Sequence, residues 1–282
     1  MTMKTHFAAA LLAFGTPALA DTGTIGRGFA LIDGGATLLV MPDASRDSVE
    51  VHPLDRPLRA LAWRPVTGAL LGLGDGGVYE VDPLTGALGD LDASLAEGTQ
   101  IDASAMVGFD VNNAIDAVRA VSTAGDNLVY FPEDFGDNDP RASSLRRFAT
   151  LAYAAGDAND GVQPMVFANA YTNAISAAKA GSTVQYALDA ATDALVTLAN
   201  NEGTLTTVAT VTIGGMAADL SAWGGFDIVS PAEGTDHAFA VLHLEGAASA
   251  GLYRLDLTTG EAVLLRDLGR GGLIGFALAP AM

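Results

Sequence analysis

One phrase of this chain returns with its spacing intact. It reads Gly77-Val-Tyr79-Glu-Val-Asp82-Pro-Leu-Thr85-Gly86, then Val184-Gln-Tyr186-Ala-Leu-Asp189-Ala-Ala-Thr192-Asp193, then Gly251-Leu-Tyr253-Arg-Leu-Asp256-Leu-Thr-Thr259-Gly260. A supersecondary unit that recurs across a whole chain marks a repeat architecture. The phrase itself reads as a strand followed by a turn. Tyr79 and Val81 share one strand face, Asp82 can accept a backbone N–H at the turn, and Gly86 takes the left-handed conformation that closes a hairpin. Asp193 replaces that glycine in the middle copy, an exchange Asp tolerates better than most residues.

An apolar anchor precedes each unit: Leu61-Ala-Trp63-Arg-Pro65, Val107-Gly-Phe109-Asp110, Val166-Phe-Ala168-Asn169, Gly225-Phe226-Asp227 and Ile274-Gly-Phe276-Ala277. Between anchor and phrase lies a further strand-like run, such as Ala69 to Leu73, Ala117 to Val121 or Ala238 to His243, bounded by Gly, Asp and Asn. Each unit offers about four short strands. The last anchor has no strands after it, while Gly28–Ile32, Thr37–Met41 and Ser48–His52 have no anchor before them. If the final strand pairs with these three, five units close into a ring and no long edge is exposed.

The expected fold is therefore an all-β, five-bladed β-propeller in which the C-terminal strand completes the N-terminal blade. Its expected blades are 57 to 97, 104 to 155, 164 to 212, 222 to 269, and 273 to 280 joined to 26 to 54. A β-sandwich and an open solenoid are the competing arrangements, since the units are uneven in length. Helix has little support: the stretches 93 to 104 and 141 to 151 have room for a short helical turn but no sustained 3.6-residue period.

Residues 1–20 read as a secretory signal, with Lys4, an apolar run from Phe7 to Phe14, and Ala18-Leu19-Ala20 before Asp21. The expectation is export to the periplasm or beyond and a single mature domain, 21–282. That apolar run is shorter than the roughly 20 residues that cross a bilayer, and no later run is uninterrupted. The chain has no cysteine, which excludes disulfides, thiolate metal sites and lipidation at cysteine. A formal charge of -19, from 33 acidic and 14 basic residues, opposes binding to phosphate backbones and anionic lipid, so neither nucleic acid nor a membrane is an expected partner. The expected state is a monomer.

Several of these residues carry a resemblance. Gly108-Phe109-Asp110 with Asp116-Ala-Val-Arg119-Ala-Val-Ser122, Leu151-Ala-Tyr153-Ala-Ala-Gly156-Asp157-Ala-Asn159, Ala170-Tyr171-Thr172-Asn173, Asn201-Glu-Gly203-Thr204-Leu205-Thr206-Thr207-Val208 and Gly225-Phe226-Asp227-Ile228 resemble a bacterial exported family known as domain of unknown function 4394. The likeness runs over roughly residues 25 to 280. It implies a signal-bearing, propeller-like protein and no particular activity. The segment Pro132 to Pro140 departs from the family's regular turn, being longer and more acidic.

Motifs for chemistry are sparse. Gly72-Leu-Gly74-Asp-Gly-Gly77 matches a dinucleotide fingerprint by letter, but a strand follows where the pyrophosphate-binding helix should stand, so it reads as a hairpin turn. Asp157-Ala-Asn159-Asp160-Gly161 is not an EF-hand, because glycine falls one place early and Ala168 occupies the bidentate position. The candidate residues for a looser oxygen site that takes a calcium-like cation are Asp134, Asp137, Asp139 and Asp157, beside Asn138. His52, His237 and His243 have no zinc-pair spacing, and Gly246-Ala-Ala-Ser249-Ala-Gly251 is one residue too long for a nucleophile elbow. Trp63 and Phe226 sit at anchor positions and read as packing rather than as sugar platforms.

In a propeller the second-to-third-strand turns and the links between blades share one face. That places Asp33, Asp75, Asp126 and Glu245 in turns, with Asp102, Asp160 and Asp219 in links, as candidate ligand-binding residues on an acidic channel face. Asp82, Asp116, Asp189, Asp193 and Asp256 fall on the opposite face. The leading expectation is a non-enzymatic exported module that binds a ligand or protein there, with a calcium-like cation as a possible cofactor. The alternatives are a carboxylate-based hydrolase or lyase and a structural or surface component.

Overall fold

The computed structural model describes residues 25–281, so the signal expected over residues 1–20 lies outside the described residues. Five sheets of at least four antiparallel strands surround one axis, each contributing its first strand to the centre. Blade one is Ala60–Arg64, Ala69–Gly74, Gly77–Val81 and Leu88–Asp90. Blade two is Val107–Asn112, Ala117–Ser122, Asn127–Phe131 and Ser144–Arg147. Blade three is Val166–Tyr171, Gln185–Asp189, Ala194–Ala199 and Thr204–Thr210. Blade four is Leu220–Ala232, Thr235–Leu244, Gly251–Leu255 and Ala262–Asp267.

Blade five is the composite. Its inner strand, Ile274–Pro280, pairs antiparallel with Gly26–Ile32, setting Phe29 opposite Ala277 and Gly26 opposite Pro280. Thr37–Met41 and Glu50–Pro53 complete the sheet. The protein is a five-bladed β-propeller closed by its own two ends. No α-helix occurs among the described residues; the one helical turn is the 3-10 segment Asp33–Gly35.

The core lies between blades rather than beneath one sheet. Blades five and one meet through Phe29, Leu38, Leu61, Leu70 and Tyr79, with Trp63 stacked on Phe29 at 6.0 Å. Blades one and two meet through Leu71, Leu73, Val78, Phe109, Leu128 and Tyr130. Phe226 is buried between blades three and four. Both anchor aromatics that were read as packing therefore do pack.

Close approach at the axis depends on residues without side chains. A Cβ on Gly225 would lie 2.3 Å from the Phe276 nitrogen, and one on Gly275 would lie 2.8 Å from Ala60 Cα. Inner strands of neighbouring blades touch backbone to backbone at these points. No flexible side chain stands there to yield.

The repeated phrase closes its hairpins as its residues suggest. Asp82 accepts from the Leu84 N–H and the Thr85 hydroxyl, both at 2.8 Å, and Gly86 sits at φ 77°. Asp189 accepts from the Ala191 N–H and the Thr192 hydroxyl, with Asp193 at φ 51°. Asp256 accepts from Thr258 and Thr259, with Gly260 at φ 71°.

Two details differ from expectation. The middle copy of the phrase occupies the second strand of blade three, not the third, because residues 172–184 form a long crossing segment where another strand was expected. Its turn, with Asp189 and Asp193, consequently joins the opposite face from those of Asp82 and Asp256. Ser94–Leu95 and Ala152–Tyr153 leave the blades expected to hold them and pair in parallel with the outer strands of blades two and three. Each link thereby covers an edge that would otherwise expose unpaired amides. The Pro132–Pro140 segment is a hairpin turn that buries Phe135 edge-on against Phe131.

Substitution Gly225→Ala is expected to destabilise the protein by about 1–3 kcal/mol, the range for forcing atoms into a packed site. Chemical denaturation of the mature chain measures it.

Candidate functional site: a polar axis closed at one mouth

The turns between first and second strands define a lower face, and the second-to-third turns with the links define an upper face. The segment 172–184, which joins the first two strands of blade three, runs across the lower mouth. Its Ala177 N–H donates to Pro65 O of blade one at 2.9 Å. The buried Asn113 of blade two donates through Nδ2 to the carbonyls of Asn173, Ile175 and Ala178, and its own carbonyl accepts from Ala180. On blade four, Ser230 Oγ accepts from Ala174, Asp236 from Asn173, and Glu233 from Gly181. A segment fixed to blades one, two and four must pass over the opening they surround. Replacing Asn113 with Ala is expected to raise amide exchange across 172–184 at least tenfold relative to blade strands, measured by hydrogen-exchange mass spectrometry.

Inside this closed end, two blades carry the same triplet. Gly108-Phe109-Asp110 and Gly225-Phe226-Asp227 place buried carboxylates on the inner strands of blades two and four, 6% and 5% exposed. Those strands, though not adjacent, approach within 8 Å, Cα to Cα, across the axis. Asp110 Oδ2 accepts from the Tyr171 N–H at 2.7 Å. Asp227 accepts from its neighbour Ile228 at 2.6 Å and from Leu278 of blade five at 2.5 Å. Each carboxylate thus caps the open inner edge of the next blade. Burial, and then the facing charge of Asp227, push the Asp110 carboxyl well above the ordinary carboxylate range; burial raises Asp227 as well.

The interface of blades two and three carries a buried polar network, as that of blades one and two carries the bidentate Arg64–Asp116 pair at 2.6–2.8 Å. Arg119, cross-strand from Asp110, donates Nε to the Tyr171 hydroxyl at 2.9 Å, and its other nitrogens donate to Asn127 Oδ1, Asn200 O and Asn201 Oδ1. The Tyr171 hydroxyl also lies 2.8 Å from Gln185 Oε1 and 2.9 Å from Asn200 Oδ1; burial pushes this phenol up to about 12. Asn169, 1% exposed, has no hydrogen-bond partner for either amide atom. Its Oδ1 lies against Gly108, where a Cβ would come within 2.7 Å.

The seven upper-face candidates are dispersed among separate local contacts. Asp75 pairs with Arg59 at 3.0 Å, and Arg59 also donates to the carbonyls of Asp102 and Ala105, walling a cleft of about 280 Å³. The Asp102 carboxylate accepts from Ser104, whose hydroxyl lowers its pKa. Asp126 is sheltered, bonded to Ser122 and paired with Arg147 at 2.6 Å. Asp160 accepts from Gly156, while Asp219 and Glu245 are joined only through their backbones. Asp33 is exposed and lines a cleft of about 720 Å³ with Trp223, Arg270, Gly271 and Gly272.

Of the four metal candidates, Asp134 binds Arg64 at 2.6 Å and Asp137 is exposed. Asp139 pairs with Arg141, whose hydrogen bonds hold its carboxyl down at about 2. Asp157 belongs to blade three, accepting from the Thr207 hydroxyl and N–H, and that hydroxyl lowers its pKa. The structure divides the four between two blades. Among the described residues no three His, Asp or Glu side chains form a metal-binding cluster.

The site residues that the sequence reading passed over are Asp110, Asp227, Asn169 and Trp223. The repeated Gly-Phe-Asp triplet was the available signal for the first two, and it was read only as an anchor.

These features define the class: a five-bladed propeller with a carboxylate-bearing axis and one strapped mouth. The chain belongs to the family described as domain of unknown function (DUF4394), whose model matches residues 39–277. No curated protein matches it in sequence. Among solved structures it is similar to regucalcin, a calcium-binding protein from Agrobacterium tumefaciens, at 13% identity and TM-score 0.41, over 92% of this chain and 75% of that one. It is also similar to the dihydro-heme d1 dehydrogenase NirN, at 10% identity and TM-score 0.37, over 85% of this chain. A third is an auxiliary nutrient binding protein from Bacteroides ovatus, at 13% identity and TM-score 0.40, over 75% of this chain. The chain spans 53% and 55% of the latter two.

The raised carboxyls set a sign for pH. A folded-state Asp pKa above the unfolded value of about 3.9 means the native state holds the extra proton, so stability falls as pH rises from there through the folded values. Melting temperature measured with chelator present is expected to decline between about pH 4 and 8. Asp110→Asn should remove most of that decline.

Proposed function

We propose that the protein is an exported, non-catalytic binding module that holds a small ring-bearing ligand, of which sugars are the leading class, on its upper face. Trp223 carries this reading. It is one of only two tryptophans and stands 38% exposed in a wide upper-face cleft that reaches from the inner strand of blade four to the outer strand of blade five. Its indole offers an apolar stacking face, Asp33 an acceptor and Arg270 a donor, while Gly34, Gly271 and Gly272 leave room for close approach. A volume of about 720 Å³ is in the range of small-molecule sites, some 300–1,000 Å³. The strap over the lower mouth supports the same choice of face. Export rests on Lys4, the apolar run and Ala18-Leu19-Ala20; mass spectrometry of secreted protein should find Asp21 at the N-terminus.

With Trp63→Phe, the indole of Trp223 becomes the sole tryptophan reporter. Titration with a panel of neutral mono- and disaccharides is expected to shift its emission for at least one compound, and Trp223→Ala should weaken calorimetric binding of that compound about tenfold or more, as loss of an aromatic anchor does. Undiminished binding by the alanine variant, or a panel silent by both methods, counts against the reading.

A further inference from the structure

The axis holds more oxygen than its own hydrogen bonds use. Four backbone N–H groups approach the Asp110 and Asp227 carboxylates, from Val111, Tyr171, Ile228 and Leu278, whereas two carboxylates offer roughly eight lone-pair positions. Among the described residues neither carboxylate has a Lys, Arg or His in ion-pair contact. The nearest candidate by position, Arg119, spends its guanidinium on Tyr171, Asn127, Asn200 and Asn201. Blade three, between the two acidic blades, contributes the independent observation. Its Asn169 is buried with both amide atoms unpartnered, and it lies against the blade-two strand two residues from Asp110. An unmet carboxamide at such a place costs stability unless something completes it.

We propose that Asp110, Asp227 and the Asn169 carboxamide bind one divalent cation of the calcium class on the propeller axis. The donors are all oxygen, which suits a hard ion, and two carboxylates balance its charge. The inner strands that carry the two carboxylates approach within 8 Å, Cα to Cα, and the strand of Asn169 packs against both. Calcium accepts flexible coordination by carboxylate, amide and carbonyl oxygens, and inner-strand carbonyls could fill the remaining places. This ion is separate from the ligand assigned to Trp223. One proposal can fail while the other stands.

The test uses the mature chain, stripped with chelator and titrated with calcium chloride by calorimetry and thermal melting. One ion per chain is expected, with the melting temperature rising roughly 5–10 °C at a hundredfold excess over the dissociation constant. Asn169→Ala should weaken binding at least tenfold, and Asp110→Asn or Asp227→Asn should abolish it while circular dichroism still reports the β fold. Should either Asp variant not fold, the stoichiometry and the Asn169 variant decide. If the pair only caps inner-strand edges, calcium at millimolar concentration gives no heat and no shift. That result, or undiminished binding by Asn169→Ala, overturns the proposal.

Discussion

The antiparallel pairing of Ile274–Pro280 with Gly26–Ile32 is the constraint on which the other four blades depend. Each blade buries its apolar faces only against its two neighbours, so the interfaces form a cycle, and a missing member would expose two faces at once. Closure with strands from both ends makes the last contact a long-range one. It also lets the axis tighten. Gly225 and Gly275 allow backbone to meet backbone there, which brings the inner strands near enough for a carboxylate on one blade to cap the amide edge of the next.

Much of the architecture was legible because it repeats. The phrase with Asp and Thr three residues apart specifies a turn through local hydrogen bonds, which require nothing beyond the segment itself. The anchor residues specified inner strands, and the surplus of strands at one end with a deficit at the other predicted the composite blade. What sequence reading missed depended on distant partners. Residues 172–184 look like an ordinary strand region until Pro65, Asn113 and Ser230 are seen to hold them across an opening. That one crossing segment shifted the middle phrase from third strand to second and moved its aspartates to the other face.

The candidate site was less legible for a related reason. Counting carboxylates in loops favoured exposed residues, since loops are where acidic side chains gather. Those of the upper face turn out to be held by neighbouring serines, by arginines or by their own turns, as with Asp102, Asp75 and Asp126. The carboxylates with the most perturbed environment lie inside strands, at Asp110 and Asp227, where their neighbours are apolar and suggest only packing. Arg119 and Tyr171 stood within the segments that resemble the family, yet their meeting across two blades is a fact of tertiary structure.

Because Pro280 pairs with Gly26 at the strapped end of the axis, the first and last strands of the described residues end side by side next to segment 172–184. The Trp223 cleft lies at the opposite end of the blades from this pairing. The adjacency also means that a short linker from Pro280 to Gly26 would allow the ring to be cut at another loop without disturbing a blade.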